Sequence, residues 1–248
     1  MREEVSLTGM VLRVSPVGEY DKRVVLLTRE LGTVTAFARG SRRPGSSLMG
    51  CTRPFTFGIF RLYEGRDAYT LAGAEVRQYF DELSSDLEAN CYGQYFLEFA
   101  DYYSRENLEA EAVLLLVYLS LKALLNPRLP NALVRIIFEL KLMVLNGEYT
   151  AEPEGELSEA ARYAWQYILT TPLEKLYTFL LTEEAREELE RAVTKNRKRF
   201  VDRRFHSLEI LSVLHGSFRQ EGKERRPEPR VFRKAGSEKC DPASAERD

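Results

Sequence analysis

The feature that most limits the fold is a change of hydrophobic period near residue 80. From Leu7 to Val76, short runs alternate apolar and polar residues, carry β-branched and aromatic side chains, and are separated by turn signals. That is the pattern of half-buried strands. From Leu83 onward the spacing becomes three and four, the period of helices packed by one face. The candidate strands are Leu7 to Val14, Arg23 to Arg29, Thr33 to Arg39, Phe55 to Tyr63 and Tyr69 to Val76. In the third, Val34, Ala36 and Ala38 share one face and Thr35, Phe37 and Arg39 the other; in the fourth, Phe55, Phe57, Ile59 and Tyr63 share a face. Glu64-Gly65-Arg66-Asp67 offers a tight turn into the fifth. Five short strands in this length fit a small closed barrel. The oligonucleotide-binding (OB) fold is the commonest five-stranded solution, and the SH3-like barrel is its competitor.

In the helical part, Tyr92, Tyr95, Phe96, Phe99 and Tyr103 form one aromatic stripe. Glu111 to Leu125 is nearly all apolar, which predicts a helix in the middle of a bundle, stopped by Asn126-Pro127. Pro130 opens another, with Leu133, Ile136, Ile137, Leu140 and Val144 on one face and Asn146-Gly147 as its cap. A polar connection, Glu148 to Gly155, follows, and Ser158 caps a helix through Trp165 to Leu169. Thr171-Pro172-Leu173-Glu174 has the form of a capping box and predicts a further helix start. Thr182 caps the last long helix, acidic at its start and basic at its end, as the helix dipole favours. After Phe218, Pro227, Pro229 and 9 basic against 7 acidic residues with few apolar ones predict a disordered tail. The expected organisation is α+β: a five-stranded OB barrel over 1–80, an all-α domain over 81–218, and a tail over 219–248.

No run of 18 apolar residues occurs, and Met1-Arg2-Glu3-Glu4 enters a strand pattern at once without the apolar core of a signal peptide. A cytoplasmic address is expected. Cys51, Cys91 and Cys240 are odd in number, far apart and free of Cys-x-x-Cys spacing, so free thiols are expected rather than disulfides or zinc. The net charge of −2 conceals a segregation. Basic and acidic residues number 12 and 8 over 1–80, 5 and 15 over 81–160, and 19 and 15 over 161–248. Basic ends around an acidic middle suit local affinity for polyanions.

The sequence carries no recognisable catalytic arrangement. His206 and His215 are the two histidines, without HExxH; no Gly-x-Ser-x-Gly, Walker A or dinucleotide fingerprint is present, and the loop at Gly40-Ser41-Arg42-Arg43-Pro44-Gly45 lacks the Gly-Lys-Ser/Thr ending of a phosphate cradle. The carboxylates from Glu183 to Glu190 read as a solvated helix face. A non-enzymatic protein without a cofactor is expected.

Two basic clusters remain. Lys22, Arg23, Arg39, Arg42, Arg43 and Arg53 belong to the barrel. They are either a solubilising loop or a groove that follows a sugar–phosphate backbone without reading sequence. Arg191, Lys195, Arg197, Lys198, Arg199, Arg203 and Arg204 stand against one Asp202, more charge than a helix C-terminus needs, which points to a second anionic contact. Tyr20, Phe37 and Tyr69 are candidate stacking surfaces for bases, or core.

With these residues in view, the sequence resembles the RecO family of bacterial recombination mediators. The resemblance is carried by Gly9-Met10-Val11-Leu12, Gly18-Glu19-Tyr20-Asp21-Lys22, Leu26-Leu27-Thr28-Arg29-Glu30-Leu31-Gly32, Ala38-Arg39-Gly40-Ser41-Arg42-Arg43-Pro44, Pro54-Phe55 and Arg204-Phe205-His206-Ser207-Leu208. It covers the barrel well and the helical region loosely. It implies binding to single- and double-stranded DNA, annealing of strands coated by single-stranded DNA-binding protein, and action with RecR in loading RecA, in the cytoplasm at the nucleoid. An adaptor for acidic partner tails and an RNA- or single-strand-binding OB protein are the alternatives. Many members carry four cysteines as a zinc ribbon where this chain has Glu148-Tyr149-Thr150-Ala151-Glu152-Pro153-Glu154-Gly155; zinc is not expected here.

Overall fold

In a computed structural model, which describes residues 3–213, the first strand sets the architecture. β1 (Glu4–Val17) is long enough to serve two neighbours: its first half pairs with β4 (Phe57–Tyr63) and its second with β2 (Asp21–Thr28), all antiparallel. Gly9 lies at the changeover, opposite both Thr28 and Gly58. A Cβ at Gly9 would stand 2.6 Å from the Leu27 carbonyl oxygen, and one at Gly58 2.2 Å from that of Glu75. Only glycine lets the strands approach this closely where the barrel bends. With β3 (Gly32–Ala38) and β5 (Tyr69–Gln78) the sheet closes in the order β1-β2-β3-β5-β4, and β3 meets β5 in parallel through two residue pairs only, Ala36 with Tyr69 and Phe37 with Thr70.

Alternation decides what fills the barrel. Leu7, Val11, Val24, Leu26, Val34, Ala36, Phe60 and Leu62 point inward. Phe57 and Ile59 of β4 alternate with the inward residues, so the face shared by Phe57, Ile59 and Tyr63 in the sequence is the outer one, while Phe55 precedes the strand at φ +70° and is buried. The turn expected over Glu64 to Asp67 is an open connection of bends rather than a tight hairpin. A four-residue helix, α1 (Leu48–Cys51), follows β3 in the loop to β4.

Met10, Val25 and Leu27 are also buried, although period two places them outside the barrel interior. They are covered because α2 (Leu87–Tyr103) lies on β1 and α3 (Glu111–Leu124) on β2. Burial of each side chain of this size contributes about 1.5–3 kcal/mol, so the barrel is seated on the helices rather than tethered to them. Tyr118 of α3 completes the seat, its ring 4.8 Å from Phe57 and 5.5 Å from Phe80. Asp86 caps α2 by accepting from the Ala89 amide at 3.0 Å.

The middle of the helical region belongs to α4 (Asn131–Leu145), not to α3 as the apolar run at 111–125 suggested. Ten of the 15 residues of α4 are buried, and it packs on α2, α3, α5 (Glu159–Thr170) and α6 (Glu183–Phe200). The apolar excess of α3 is spent on the barrel, and on Tyr177, whose hydroxyl is 2.5 Å from that of Ser120. The expected helix at Thr171 is also replaced. Thr171 ends α5, and only a single 3-10 turn, Leu173–Lys175, forms. The Thr171 carbonyl accepts from Lys141 at 2.7 Å, Leu176 is buried and Tyr177 is drawn to Ser120, so tertiary contacts outweigh the local capping signal. Ser158 and Thr182 cap α5 and α6 as their positions suggest. The aromatic stripe of α2 is core: Phe96 stacks on Phe138 at 4.1 Å, and Phe99 meets Phe205 at 4.9 Å. The tail over 219–248, which holds Cys240, lies outside the described residues, as does His215.

Candidate nucleic-acid interface

The loop between β3 and β4 carries four arginines, Arg39, Arg42, Arg43 and Arg53, and it is held from both sides. At its start, Gly40 takes φ +66°, and its amide donates to the Asp21 carboxylate at 2.7 Å. The Arg42 amide donates to the Tyr20 carbonyl at 2.9 Å, and its guanidinium to the Gly18 carbonyl at 3.3 Å. The Arg43 guanidinium lies over the Tyr20 ring, 4.9 Å from its centroid. At its end, the Lys22 ammonium donates to the carbonyl and hydroxyl oxygens of Thr52 at 3.2 and 3.1 Å. Lys22 is therefore a strut as well as a charge. Arg53 extends over the Tyr79 ring at 5.2 Å and pairs with Asp81 at 3.2 Å.

Three of these cations share one electrostatic neighbourhood. Partial burial lowers the Lys22 pKa below the ordinary lysine value, and Arg42 and then Arg53 lower it further; the Cys51 thiol acts the other way. Among the described residues no carboxylate pairs with Lys22, Arg23, Arg39, Arg42 or Arg43, and those four arginines are exposed. A surface on which like charges crowd with one described ion pair, Arg53 with Asp81, is one an anion relieves.

The second cluster is divided by its partners. Arg197 is turned inward to Glu139, a fully buried carboxylate 3.6 Å away, which also faces Arg135 at 3.8 Å and accepts from the Tyr95 hydroxyl at 2.8 Å. Lys195 and Arg199 both bind Glu154, at 2.8 and 3.1 Å, and these contacts hold the Glu154 carboxyl below the usual carboxylate range. Arg191 pairs with Glu187 at 3.9 Å. What stays uncommitted is Lys198, Arg203 and Arg204, all exposed, beside an open cleft of about 390 Å³ that Phe205 and Leu208 also line. Phe205 is buried against Tyr95, Phe99 and Tyr102, and Ser207 donates to Glu98 at 2.9 Å, so the 204–208 motif anchors this strip of chain.

Residues 148–155 do not fit a zinc ion. They contain no cysteine, and among the described residues no group of three or more His, Cys, Asp or Glu is placed to hold a metal. Protein contacts fasten the segment instead. Tyr103 donates to the Glu148 carboxylate at 2.5 Å, Asn196 to the Glu148 carbonyl at 3.2 Å, the buried Trp165 indole to the Thr150 carbonyl at 3.3 Å, and Gln166 to the Ala151 carbonyl at 2.6 Å. Cys51 and Cys91 are buried free thiols.

Of the aromatic candidates, Tyr20 is exposed, whereas Phe37 and Tyr69 are half-buried on the barrel wall. Tyr79 does not stand out in the sequence. It follows β5 directly, is exposed, and holds Arg53. Its signal is the aromatic pair Tyr79-Phe80 at the end of a strand, of which Phe80 turns into the core. No helix among the described residues is long and apolar enough to cross a membrane.

The family model described as "Recombination protein O N terminal" matches residues 1–80, and "Recombination protein O C terminal" matches 84–151. The "DNA repair protein RecO" of Symbiobacterium thermophilum is 31% identical over 86% of this chain and 98% of its own length. That of Acetivibrio thermocellus is 25% identical over 84% of this chain and 96% of its own. The closed five-stranded barrel, the helical region behind it and these matches agree, and the chain belongs to the RecO family of DNA repair proteins.

Proposed function

We propose that the chain is a non-enzymatic mediator of recombinational repair that binds single- and double-stranded DNA by its backbone and brings complementary strands together. The observation that carries this is the loop from Arg39 to Arg53, where Lys22, Arg42 and Arg53 crowd and Arg23, Arg39, Arg42 and Arg43 lack carboxylate partners among the described residues. Annealing breaks no covalent bond. Two strands repel through their phosphates, and a cationic surface that displaces their counterions lowers that barrier without regard to base order. Lys198, Arg203 and Arg204 are the groups left to touch a second stretch of DNA. We assign strand binding to the barrel, residues 1–80, and the second contact to the helical domain, 81–218. Membership of the family supports work beside single-stranded DNA-binding protein and RecR in loading RecA, at the nucleoid in the cytoplasm.

The test is electrophoretic. Purified protein should accelerate annealing of complementary oligonucleotides, naked or coated with single-stranded DNA-binding protein, with neither ATP nor zinc added. Failure to bind any oligonucleotide at low ionic strength would remove the proposal. The cleft lined by Phe205 and Leu208, with Lys198, Arg203 and Arg204 outnumbering Asp202 and Glu209 among its exposed charges, favours a second role as an adaptor for an acidic peptide tail. Titration of such a peptide without DNA separates the two, and competition between RNA and DNA oligonucleotides decides between nucleic acids.

A further inference from the structure

Tyr20 and Tyr79 are 41% and 39% exposed, and each carries a guanidinium over one face of its ring: Arg43 at 4.9 Å from the Tyr20 centroid and Arg53 at 5.2 Å from that of Tyr79. The two arginines belong to one loop, near its start and at its end, and Lys22 pins that end to β2 through Thr52. A solvent-facing tyrosine with a planar cation upon it is a two-layer π surface. Bases stack on both components, on the ring through dispersion and on the guanidinium plane through cation–π attraction. The surrounding cations supply the phosphate grip. Neither tyrosine donates its hydroxyl to a described partner, so nothing fixes these rings for a purely structural purpose beyond their arginines.

We infer that the Tyr20–Arg43 and Tyr79–Arg53 pairs are stacking platforms for unpaired nucleobases, which give this surface a preference for single strands over duplex. The inference rests on the proposal that the barrel loop binds DNA, and it adds what the loop recognises besides phosphate. It also has a consequence for annealing. A base held by its face keeps its Watson–Crick edge free, so a complementary strand pairs with it while it is still on the protein. Once paired, the base returns to the duplex stack, the tyrosines lose their ligand, and the product is held by arginine–phosphate contacts alone. Strand pairing thereby weakens the protein's hold on its own product.

Binding of a fluorescent oligo-dT, an oligoribonucleotide, a hairpin duplex and an abasic sugar–phosphate oligomer should be compared for the wild type, Tyr20→Ala/Tyr79→Ala and Tyr20→Phe/Tyr79→Phe. Each ring lost should weaken binding to the unpaired strands about tenfold and leave the duplex and abasic ligands unchanged. The phenylalanine pair, which keeps both stacking faces, should bind as wild type. The RNA arm shows whether the platform serves any unpaired base or DNA alone. A Tyr79→Trp variant adds a reporter to a chain whose single tryptophan, Trp165, is buried; oligo-dT should quench it and the abasic oligomer should not. Equal losses on single strand and duplex, or no loss on either, would overturn the platform while leaving the backbone grip standing. Wild-type protein that bound none of the four ligands would remove the grip as well.

Discussion

Replacing Arg39, Arg42 and Arg43 together with alanine tests backbone binding by the loop through its salt slope, which reports phosphate contacts even though Arg43 also covers Tyr20. None of the three pairs with a described carboxylate, so none is neutralised before DNA arrives. If each meets one phosphate, the slope of log K against log salt should flatten by about 2 on single strands and by somewhat more, about 2.7, on duplex. Across a fourfold rise in salt, wild-type affinity should then fall about 16-fold further than that of the variant on single strands. Within the protein, the substitutions remove a hydrogen bond from Arg42 to Gly18 and an exposed cation–π interaction of Arg43 with Tyr20, which together stabilise the fold by no more than about 1–2 kcal/mol. The variant should remain folded.

The control is Lys195→Ala/Arg199→Ala, which removes as much charge per residue from the second cluster. Those cations already face Glu154 at 2.8 and 3.1 Å. They should add almost nothing to the slope. Fluorescence anisotropy on two oligonucleotides of unrelated sequence, between 50 and 200 mM salt, reads both variants. An unchanged slope in the triple variant, or an equal flattening in the control, would refute the partition into free and committed cations.

Three further outcomes test the scaffold. Lys141, buried in α4, donates to the carbonyls of Ile168, Leu169 and Thr171 at 3.0, 3.1 and 2.7 Å. Lys141→Met leaves those acceptors without donors and should cost about 3 kcal/mol, seen as a fall in Tm of roughly 6–12 °C. Glu139→Ala leaves Arg135 and Arg197 facing each other without their shared carboxylate and should cost about 3–5 kcal/mol in urea unfolding; a loss below 1 kcal/mol would show that Glu190 compensates. Because Glu154 has its carboxyl pKa lowered by Lys195 and Arg199, the clamp contributes fully above the unfolded value of about 4.3 and is lost as pH falls through the lower folded value. Emission from Trp165, which rests on the Thr150 carbonyl, should shift in that acid window before global unfolding, while EDTA at neutral pH should leave Tm unchanged.

The fold was legible wherever one periodicity ruled a segment. Period two exposed all five strands, and Ser158 and Thr182 marked helix starts through a single side-chain acceptor each. It failed where distant residues outbid local signals. The Thr171-Pro172-Leu173-Glu174 box gave way because Lys141, 30 residues earlier, takes the Thr171 carbonyl. The apolar run of α3 pointed to the bundle centre because nothing local distinguishes a surface pressed on a barrel from one pressed on helices. Among the candidate site residues, the arginines of the 39–53 loop stand out by composition. The commitment of Arg197 to Glu139, or of Lys195 and Arg199 to Glu154, does not, since those pairs join segments about 40 to 60 residues apart.

Those pairings connect two features that look separate in the sequence, the missing cysteines and the surplus of basic residues at the end of α6. In place of the zinc ribbon that the family resemblance implies, residues 148–155 are fastened by the indole of Trp165, the amides of Gln166 and Asn196, and the cations of Lys195 and Arg199. Charge committed to that fastening is not free for the proposed DNA contact. Of seven basic residues between Arg191 and Arg204, only Lys198, Arg203 and Arg204 face solvent without a described acidic partner. If the chain binds DNA as proposed, the barrel loop should dominate affinity, with the helical region adding a weaker hold on a second strand. The proposed annealing would benefit from that inequality: one strand kept firmly and the other exchanged quickly lets mismatched partners leave before they are trapped.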